Sequence, residues 1–129
     1  MAPYLADKKG LTVYTYGTEL CDILSSIGIT VYCLGGCYNR ISHTLTGEYA
    51  LTMAQGIYFD AFFFSASAYS DETVSDYNED EAHLRRAVFK NSQKKYFLCD
   101  SEKLGKRSAY ILCRKDEITD IITEQGLTH

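Results

Sequence analysis

Asp100, Ser101 and Lys103 directly follow the apolar run of residues 96–99, and Gly105 ends this segment. In a parallel sheet covered on both faces, a strand reads as a continuous apolar run, and ligands bind outside the carboxyl ends of such strands. A carboxylate there could accept hydrogen bonds from sugar hydroxyls, and a lysine could hold a phosphate as a point charge. Two simpler interpretations fit the same residues. Asp100 or Ser101 could cap a turn while Lys103 lies in solvent, or Asp100 and Lys103 could form an exposed ion pair that contributes only about 0–1 kcal/mol.

Three further predicted strands also end in small or polar residues. Their ends read Thr15-Tyr16-Gly17, Gly35-Gly36 and Ser65-Ala66-Ser67. Glycines at such an edge let a ligand approach the backbone, and hydroxyls and amides can hydrogen-bond a polyol. The sequence therefore predicts that the four strand ends form one ligand-binding edge of a parallel sheet.

Strand and helix patterns alternate along the whole chain, which predicts an α/β fold. Strands are predicted near residues 11–16, 29–34, 60–66, 95–100, 109–113 and 118–123, a short hairpin within 37–46, and helices at 1–9, 19–26, 47–57 and 79–91. The strands should form one mostly parallel sheet with helices on both faces and right-handed crossovers. The acidic stretch that begins at residue 71 is predicted to be a loop that leads into the helix at 79–91.

The predicted helices carry local signals of where they begin and which face they bury. Thr18 is expected to cap the helix at 19–26, and Asn78 to Glu81 has the form of a capping box that opens the helix at 79–91. The expected inward-facing residues are Leu20, Ile23 and Leu24 in the first of these helices, Tyr49, Ala50, Met53 and Ala54 in the second, and Ala82, Leu84, Ala87 and Val88 in the third.

Composition narrows the class of protein. With 129 residues, 46% of them hydrophobic, the chain should fold as one globular domain. The five cysteines lie in apolar segments and are expected to be buried free thiols, and Cys33-x3-Cys37 lacks the further ligands of a zinc site. The net charge of −4 argues against nucleic-acid binding by the chain itself. With no apolar run near the roughly 18 residues of a membrane span and no signal-peptide pattern, we expect a cytoplasmic protein without a cofactor.

Several motifs, in their order and spacing, resemble the effector-sensing domain of DeoR-type bacterial transcriptional regulators. They are Leu34-Gly35-Gly36, Phe59-Asp60, Glu79-Asp80-Glu81-Ala82-x-x-Arg85-Arg86-Ala87, Asp100-Ser101-x-Lys103-x-Gly105 and Ile118-x-Asp120-x-Ile122-Thr123. The likeness covers nearly the whole chain. Its most specific parts are the Asp-Ser-x-Lys-x-Gly segment and the Glu-Ala-x-x-Arg-Arg-Ala helix.

The resemblance implies a Rossmann-like three-layer α/β/α fold, related to ribose-5-phosphate isomerase and glucosamine-6-phosphate deaminase, in a single sensing domain over residues 1–129. It also implies that the domain binds a phosphorylated sugar or similar metabolite, which releases an amino-terminal helix-turn-helix domain from operator DNA. We further expect a homo-oligomer. The ligand-binding candidates are Asp100, Ser101, Lys103, Thr15, Gly35, Gly36, Ser65 and Ser67.

The chain departs from the family pattern in two ways. The first strand, the phosphate loop and the helix-turn-helix of the family would precede residue 1, so the chain is expected to be a partial domain. Ser65 to Ala68 replace the family's Gly-Ala-Asp-Gly, and Thr15-Tyr16-Gly17 replace its Thr-Asn-Ser. The first change removes a polar contact, and Tyr16 should narrow the pocket.

Two other functions compete with ligand sensing: a sugar-phosphate isomerase or deaminase on the same fold, and an assembly module with a vestigial pocket. Such an enzyme needs a general base near the sugar carbons. Ser67 stands where the resemblance would place that carboxylate, so no catalytic residue is predicted. Glu81 is interpreted as a capping carboxylate or a pocket residue, and Arg85-Arg86 and Lys94-Lys95 as solvated side chains.

Overall fold

The structure is a computed structural model that describes residues 10–99, 105–123 and 126–128. The helices are α1 (Thr18–Ser26), α2 (Glu48–Gln55) and α3 (Glu79–Lys90), with a 3-10 turn at Lys115–Glu117. The strands are β1 (Thr12–Thr15), β2 (Thr30–Cys33), β3 (Cys37–Asn39), β4 (Thr44–Thr46), β5 (Phe59–Phe64), β6 (Ala68–Tyr69), β7 (Thr73–Asp76), β8 (Ser92–Cys99), β9 (Tyr110–Arg114), β10 (Asp120–Thr123) and β11 (Gly126–Thr128). The chain divides into two compact units, residues 1–53 and residues 54–129. The helix predicted at 1–9 lies outside the described residues.

In the first unit, β1 and β2 pair in parallel, with Val13 opposite Val31. Both strands are rich in β-branched and aromatic residues, which favour extended backbone. Helix α1 connects them, and it ends where Gly28 takes a positive φ of 86°. The predicted order of strand, helix and strand is therefore confirmed for this unit, and the predicted hairpin is found as the antiparallel pair β3 and β4.

The start of α1 differs from the sequence prediction. Gly17 is the N-cap residue and Thr18 is already helical. The amide and the hydroxyl of Thr18 both donate to the carbonyl oxygen of His43, at 3.0 and 3.2 Å. The prediction that Thr18 caps the helix is wrong, because its hydroxyl makes a tertiary contact with the loop between β3 and β4.

The buried faces of α1 and α2 are narrower than predicted. Leu24 is buried, but Leu20 and Ile23 are exposed. Ala50 and Ala54 are fully buried, whereas Tyr49 is 84% exposed and Met53 is also exposed. Residues four apart share a helix face, while the residue next to Ala50 is turned away by about 100°. Only the two alanines of α2 therefore lie on the buried stripe.

In the second unit, β5, β8 and β10 form a parallel sheet in the order β10-β8-β5, extended at one side by the antiparallel β11. β5 ends in three phenylalanines, of which Phe64 is buried, Phe62 is half-buried and Phe63 is exposed. Phe64 packs edge-on against Phe89 of α3, with ring centroids 5.7 Å apart, and lies 5.4 Å from the ring of Phe97. These rings form the centre of the core of this unit.

A second sheet of this unit was not predicted. β6, β7 and β9 form an antiparallel sheet, in which β7 occupies part of the acidic stretch that was predicted to be a loop. The prediction was wrong because β7 carries Ser75 and Asp76, whose polar side chains are buried rather than solvated. The described strands thus form four sheets instead of one, and the fold is a mixed α/β fold with parallel and antiparallel strands.

Helix α3 has the N-cap residue that the sequence predicts, while the carboxylate of Glu81, which was expected to complete a capping box, lies 3.6 Å from Arg85 Nη2. Asn78 is its N-cap residue, and the side-chain oxygen of Asn78 accepts a hydrogen bond of 3.0 Å from the amide of Glu81. Ala82, Leu84 and Val88 are buried as expected, and Ala87 is half-buried. Within the described residues, no helix is both long and apolar enough to cross a membrane.

Candidate functional site

The predicted ligand-binding segment directly follows the central strand of the parallel sheet. β8 ends at the buried Cys99, between β5 and β10, and the register places Cys99 beside Thr123 and Phe97 beside Phe64. The carboxyl ends of these three parallel strands therefore meet at one edge of the sheet. Asp100, Ser101 and Lys103 themselves lie outside the described residues.

The residues that follow β5 are held by side chains from β7 and α3. The carbonyl oxygen of Ser65 accepts a hydrogen bond of 2.7 Å from Arg85 Nη1. The hydroxyl of Ser67 donates to Asp76 Oδ1 at 3.0 Å and lies 3.5 Å from the hydroxyl oxygen of Ser108. Both serines predicted to bind a ligand thus belong to a protein hydrogen-bond network, Ser65 through its backbone and Ser67 through its side chain.

At the centre of this network is an ion pair between Arg85 and Asp76. Arg85 Nη1 lies 2.5 Å from Asp76 Oδ2, and the two side chains are only 15% and 6% exposed. Arg85 Nη2 lies 3.6 Å from Glu81 Oε1, one helical turn earlier in α3. We call Ser65, Ser67, Asp76, Glu81 and Arg85 the Arg85 cluster.

The position of Arg85 corrects the interpretation that it is solvated. Its neighbour Arg86 is exposed, as that interpretation expected for both residues. The signal that could have indicated the difference is the spacing of Glu81 and Arg85, since residues four apart on a helix can form an ion pair. Asp76 was missed altogether, because its segment was predicted to be a solvated loop.

Burial and the charge of Arg85 act on the pKa of the Glu81 carboxyl in opposite directions. Burial raises the pKa of the Glu81 carboxyl, the Arg85 guanidinium lowers this pKa, and the Asp76 carboxylate raises it, and the pKa is raised overall. Removing a carboxylate from water disfavours its charged form, and a nearby like charge does the same. The Arg85 cluster therefore holds two carboxylates and one guanidinium, so it is not a centre of net positive charge.

The chain beyond residues 100–104 is attached to the antiparallel sheet. The amide of Gly105 donates to the carbonyl oxygen of Tyr69 at 2.7 Å, and the amide of Ser108 donates to Ser75 Oγ at 2.9 Å. Gly105 has a φ of 76°, a left-handed conformation that glycine adopts without strain. Both described flanks of the predicted ligand-binding segment, Cys99 and Gly105, are thus fixed by backbone hydrogen bonds or by the sheet.

The candidates of the first unit have different surroundings. Thr15 Oγ1 accepts a hydrogen bond of 3.1 Å from the amide of Gly17. A Cβ atom at Gly36 would lie 2.4 Å from the carbonyl oxygen of Thr46, so packing requires a glycine there. A Cβ atom at Gly35 would meet no atom of the described residues within 4 Å, so these residues leave the backbone of Gly35 open to approach. Of the two glycines, Gly35 has the surroundings expected of a ligand contact.

The cysteines and the surface cavity offer no alternative site. Burial, together with the neighbouring Cys33 and Asp22, raises the pKa of the Cys21 thiol to about 11. Cys99 and Cys113 are buried as predicted, but Cys37 is exposed. Within the described residues, no three metal-ligating side chains come together.

A shallow cavity of about 290 Å³ is lined by residues 58–60 and 90–93. These residues lie at the amino ends of β5 and β8, so the cavity is at the edge of the sheet opposite to the predicted ligand-binding edge.

Comparison with known proteins gives consistent matches. The family model of the DeoR C terminal sensor domain matches residues 1–125. Over 128 residues, the chain is 30% identical to an HTH-type transcriptional regulator, YgbI, of Escherichia coli (strain K12). The matched region covers 98% of this chain and 50% of that protein. It is 32% identical over 94 residues to the lactose phosphotransferase system repressor of Staphylococcus aureus (strain NCTC 8325 / PS 47), covering 73% of this chain and 38% of the repressor. The repressor of the same description from Staphylococcus epidermidis (strain ATCC 12228 / FDA PCI 1200) is 26% identical over 119 residues, or 90% of this chain and 47% of that protein. The chain thus spans about half the length, or less, of these relatives.

Proposed function

This chain belongs to the family of DeoR C-terminal sensor domains, and on that premise we propose that it binds a phosphorylated sugar or a similar phosphorylated metabolite. The observation that supports this proposal most is the arrangement of β5, β8 and β10, which run parallel and end at one edge. Open parallel sheets bind ligands outside the carboxyl ends of their strands. The Asp100-Ser101-x-Lys103 segment leaves the central strand of the three at that edge.

The proposed roles follow from side-chain chemistry. Lys103 binds the phosphate as a point charge, while Asp100 and Ser101 hydrogen-bond the hydroxyls of the sugar. Ser65 and Ser67 contribute from the turn after β5. We also propose Thr15, Gly35 and Gly36 of the first unit as ligand contacts, and the open space that the described residues leave at Gly35 supports its role most.

The chain is a sensor domain and not an enzyme, since the relatives it matches are transcriptional regulators and repressors. The side chain at the position where the enzymes' carboxylate was expected is that of Ser67, and its hydroxyl donates to Asp76. A hydroxyl engaged in this way is not a general base. An assembly module with a vestigial pocket is the remaining alternative, which the binding experiment below would detect as the absence of any ligand.

We further infer that residues 1–129 belong to one effector-sensing domain with a Rossmann-like three-layer α/β/α arrangement. In a full-length cytoplasmic regulator, this domain would act as a homo-oligomer on a helix-turn-helix domain that binds operator DNA. Effector binding would then change the affinity of the regulator for its operator, as two linked binding equilibria must influence each other reciprocally.

Calorimetric titration of ribose-5-phosphate and glucosamine-6-phosphate tests the proposal. Lys103→Ala should weaken binding by about 1.5–3 kcal/mol, the usual contribution of a hydrogen bond to a charged group. The matched control is Lys94→Ala, which removes an exposed lysine near the amino end of β8, away from the proposed edge. Equal affinity of wild type and Lys103→Ala for a sugar phosphate that binds would exclude the proposed role of Lys103.

A further inference from the structure

The two segments beside the proposed ligand-binding edge are connected through one network. The turn at residues 65–68 is bound by Arg85 and Asp76, and residues 105–108 are bound by β6 and β7. We propose that Asp76 and Arg85 are positioning residues that hold these two segments in place around the effector. The proposal rests on the proposed function. In it, Asp76 and Arg85 orient the two segments and do not themselves contact the ligand.

Arg85 fixes the turn after β5 through its backbone. One nitrogen, Nη1, donates both to the carbonyl oxygen of Ser65, at 2.7 Å, and to Asp76 Oδ2, at 2.5 Å. The planar guanidinium presents its donors in a fixed geometry, so two partners of one nitrogen define the orientation of the group. The Ser65 carbonyl is therefore held at a set distance from both β7 and α3.

Asp76 is occupied by protein donors on both of its oxygen atoms. Oδ1 accepts from the Ser67 hydroxyl at 3.0 Å and from the Tyr77 amide at 2.9 Å, and Oδ2 accepts from Arg85. The side chain is only 6% exposed. A carboxylate in this state has little capacity left for a sugar hydroxyl, but it determines where the Ser67 hydroxyl points.

The same strand also reaches the second segment. Ser75, which precedes Asp76, is 1% exposed, and its hydroxyl oxygen accepts a hydrogen bond of 2.9 Å from the amide of Ser108. The hydroxyl oxygens of Ser108 and Ser67 are 3.5 Å apart. A continuous path of hydrogen bonds thus leads from Ser65 through Arg85, Asp76 and Ser67 to Ser108, four residues after the segment 100–104.

The charge of the Arg85 cluster argues against a direct role in binding an anion. Asp76 and Glu81 both face the guanidinium of Arg85. Two carboxylates with one guanidinium do not attract a phosphate, whereas Lys103 carries a point charge suited to it. Loss of Arg85 should therefore affect ligand affinity through the shape of the edge and not through its charge.

Amide hydrogen exchange with mass spectrometry tests the positioning role directly. Arg85→Gln should accelerate exchange in residues 65–69 and 105–110 by about tenfold, while exchange in residues 93–98 of β8 stays near that of wild type, because local openings are independent of global unfolding. Arg86→Gln is the matched control, since it changes an exposed arginine on the same helix. Should Arg85→Gln fail to fold, Ser67→Ala removes the contacts of the Ser67 hydroxyl with Asp76 and Ser108 and should give the same local change. Unchanged exchange in both segments would overturn the proposal.

A second measurement separates positioning from charge. Arg85→Gln should weaken binding of ribose-5-phosphate or glucosamine-6-phosphate by about tenfold, because a less ordered edge must be ordered on binding, and should leave the salt dependence of the affinity unchanged. Lys103→Ala should reduce that salt dependence, since it removes a charge near the phosphate. An equal reduction in Arg85→Gln would show that Arg85 binds the anion and would overturn the positioning role. If the wild-type chain binds neither sugar phosphate, the proposed function fails, and hydrogen exchange still decides whether the cluster holds the two segments.

Discussion

Asp76 is a buried carboxylate whose two oxygen atoms both accept hydrogen bonds, from Ser67, Tyr77 and Arg85. A buried charge is tolerated when it is paired and hydrogen-bonded, and it becomes costly when a partner is lost. Substitutions around Asp76 should therefore act on stability through unmade hydrogen bonds and unbalanced charge. The following two predictions concern single residues of the Arg85 cluster.

Ser67→Asp should destabilise the chain although it introduces the residue that the family pattern contains. The new carboxylate would stand next to Asp76 Oδ1, where the Ser67 hydroxyl now donates. Two neighbouring carboxylates repel each other, and a hydrogen bond between them requires that one is protonated. We expect a loss of about 1–3 kcal/mol in the free energy of unfolding at pH 7, with partial recovery at lower pH, as measured by urea denaturation.

Ser65→Asp provides the control for this substitution. Ser65 is exposed, and it takes part in the Arg85 cluster through its carbonyl oxygen rather than its side chain. This variant should keep nearly the stability of wild type. Equal stability of wild type and Ser67→Asp at pH 7 would contradict the observed contact between Ser67 and Asp76.

Glu81 should make the stability of the chain depend on pH. Its pKa is raised in the folded chain above the ordinary 4.5, by burial and by Asp76, against the opposing effect of Arg85. The folded state therefore binds a proton more tightly than the unfolded state, and the contribution of Glu81 to stability is complete below pH 4.5 and is lost as the pH rises through the folded pKa. The Glu81→Gln variant has no titratable group at residue 81, so its free energy of unfolding lacks this pH-dependent contribution.

Urea denaturation of wild type and Glu81→Gln between pH 7 and pH 4.5 measures the effect. The stability of wild type relative to the variant should increase as the pH falls. A decrease instead would mean that the ion pair with Arg85 outweighs burial and that the pKa of Glu81 is lowered in the folded chain.

Among the elements, the parallel strands of the second unit could be predicted and the antiparallel sheet could not. β5 and β8 each end in an apolar run, residues 61–64 and 96–99, that is followed by polar residues, and such runs are typical of parallel strands. β7 contains Ser75 and Asp76, which look solvated in the sequence. They are buried because donors from α3 and from residues 65–67 and 108 satisfy them, and such long-range partners leave no local signal.

The capping residues of the helices could likewise be predicted only where their hydrogen-bond partners are close in the sequence. Asn78 caps α3 as predicted, because the acceptor and the donor lie three residues apart in the sequence. Thr18 has the residue type of a cap but donates to His43, which is distant in the sequence. For the site, the sequence predicted Ser65 and Ser67 as functional residues, while the pairing of Arg85 with Asp76 depends on tertiary structure.

The loop after β2 allows a test at the scale of elements. In the first unit, Gly36 packs against β4, and a Cβ atom there would lie 2.4 Å from the carbonyl oxygen of Thr46 and 3.2 Å from Ala50 Cβ. Gly36→Ala should therefore cost about 1–3 kcal/mol of unfolding free energy, as overpacking does. Gly35→Ala is the matched control, because a Cβ atom at Gly35 would meet no atom of the part of the chain that the structure describes within 4 Å. Similar melting temperatures for the two variants would contradict this account of the loop.

At the scale of the whole molecule, the two oppositely charged stretches of the sequence meet in the fold at the Arg85 cluster. Residues 71–81 hold six acidic residues and residues 85–107 hold eight of the thirteen basic ones. Folding brings Asp76 and Glu81 of the first group against Arg85 of the second. With a net charge of −4, the chain as a whole does not attract an anion, so the proposed binding of a phosphorylated effector requires local cations such as Lys103.

The central claim is that this sensor domain recognises a phosphorylated metabolite, and calorimetric comparison of a sugar phosphate with its unphosphorylated parent sugar tests it most directly. Glucosamine-6-phosphate against glucosamine and ribose-5-phosphate against ribose are suitable pairs. We predict that at least one phosphorylated compound binds the wild-type chain, that its parent sugar binds at least about tenfold more weakly because it lacks the charge-assisted contact with Lys103, and that Lys103→Ala removes most of the difference. Equal binding of a sugar with and without its phosphate, or binding of neither form in both pairs, would contradict the account.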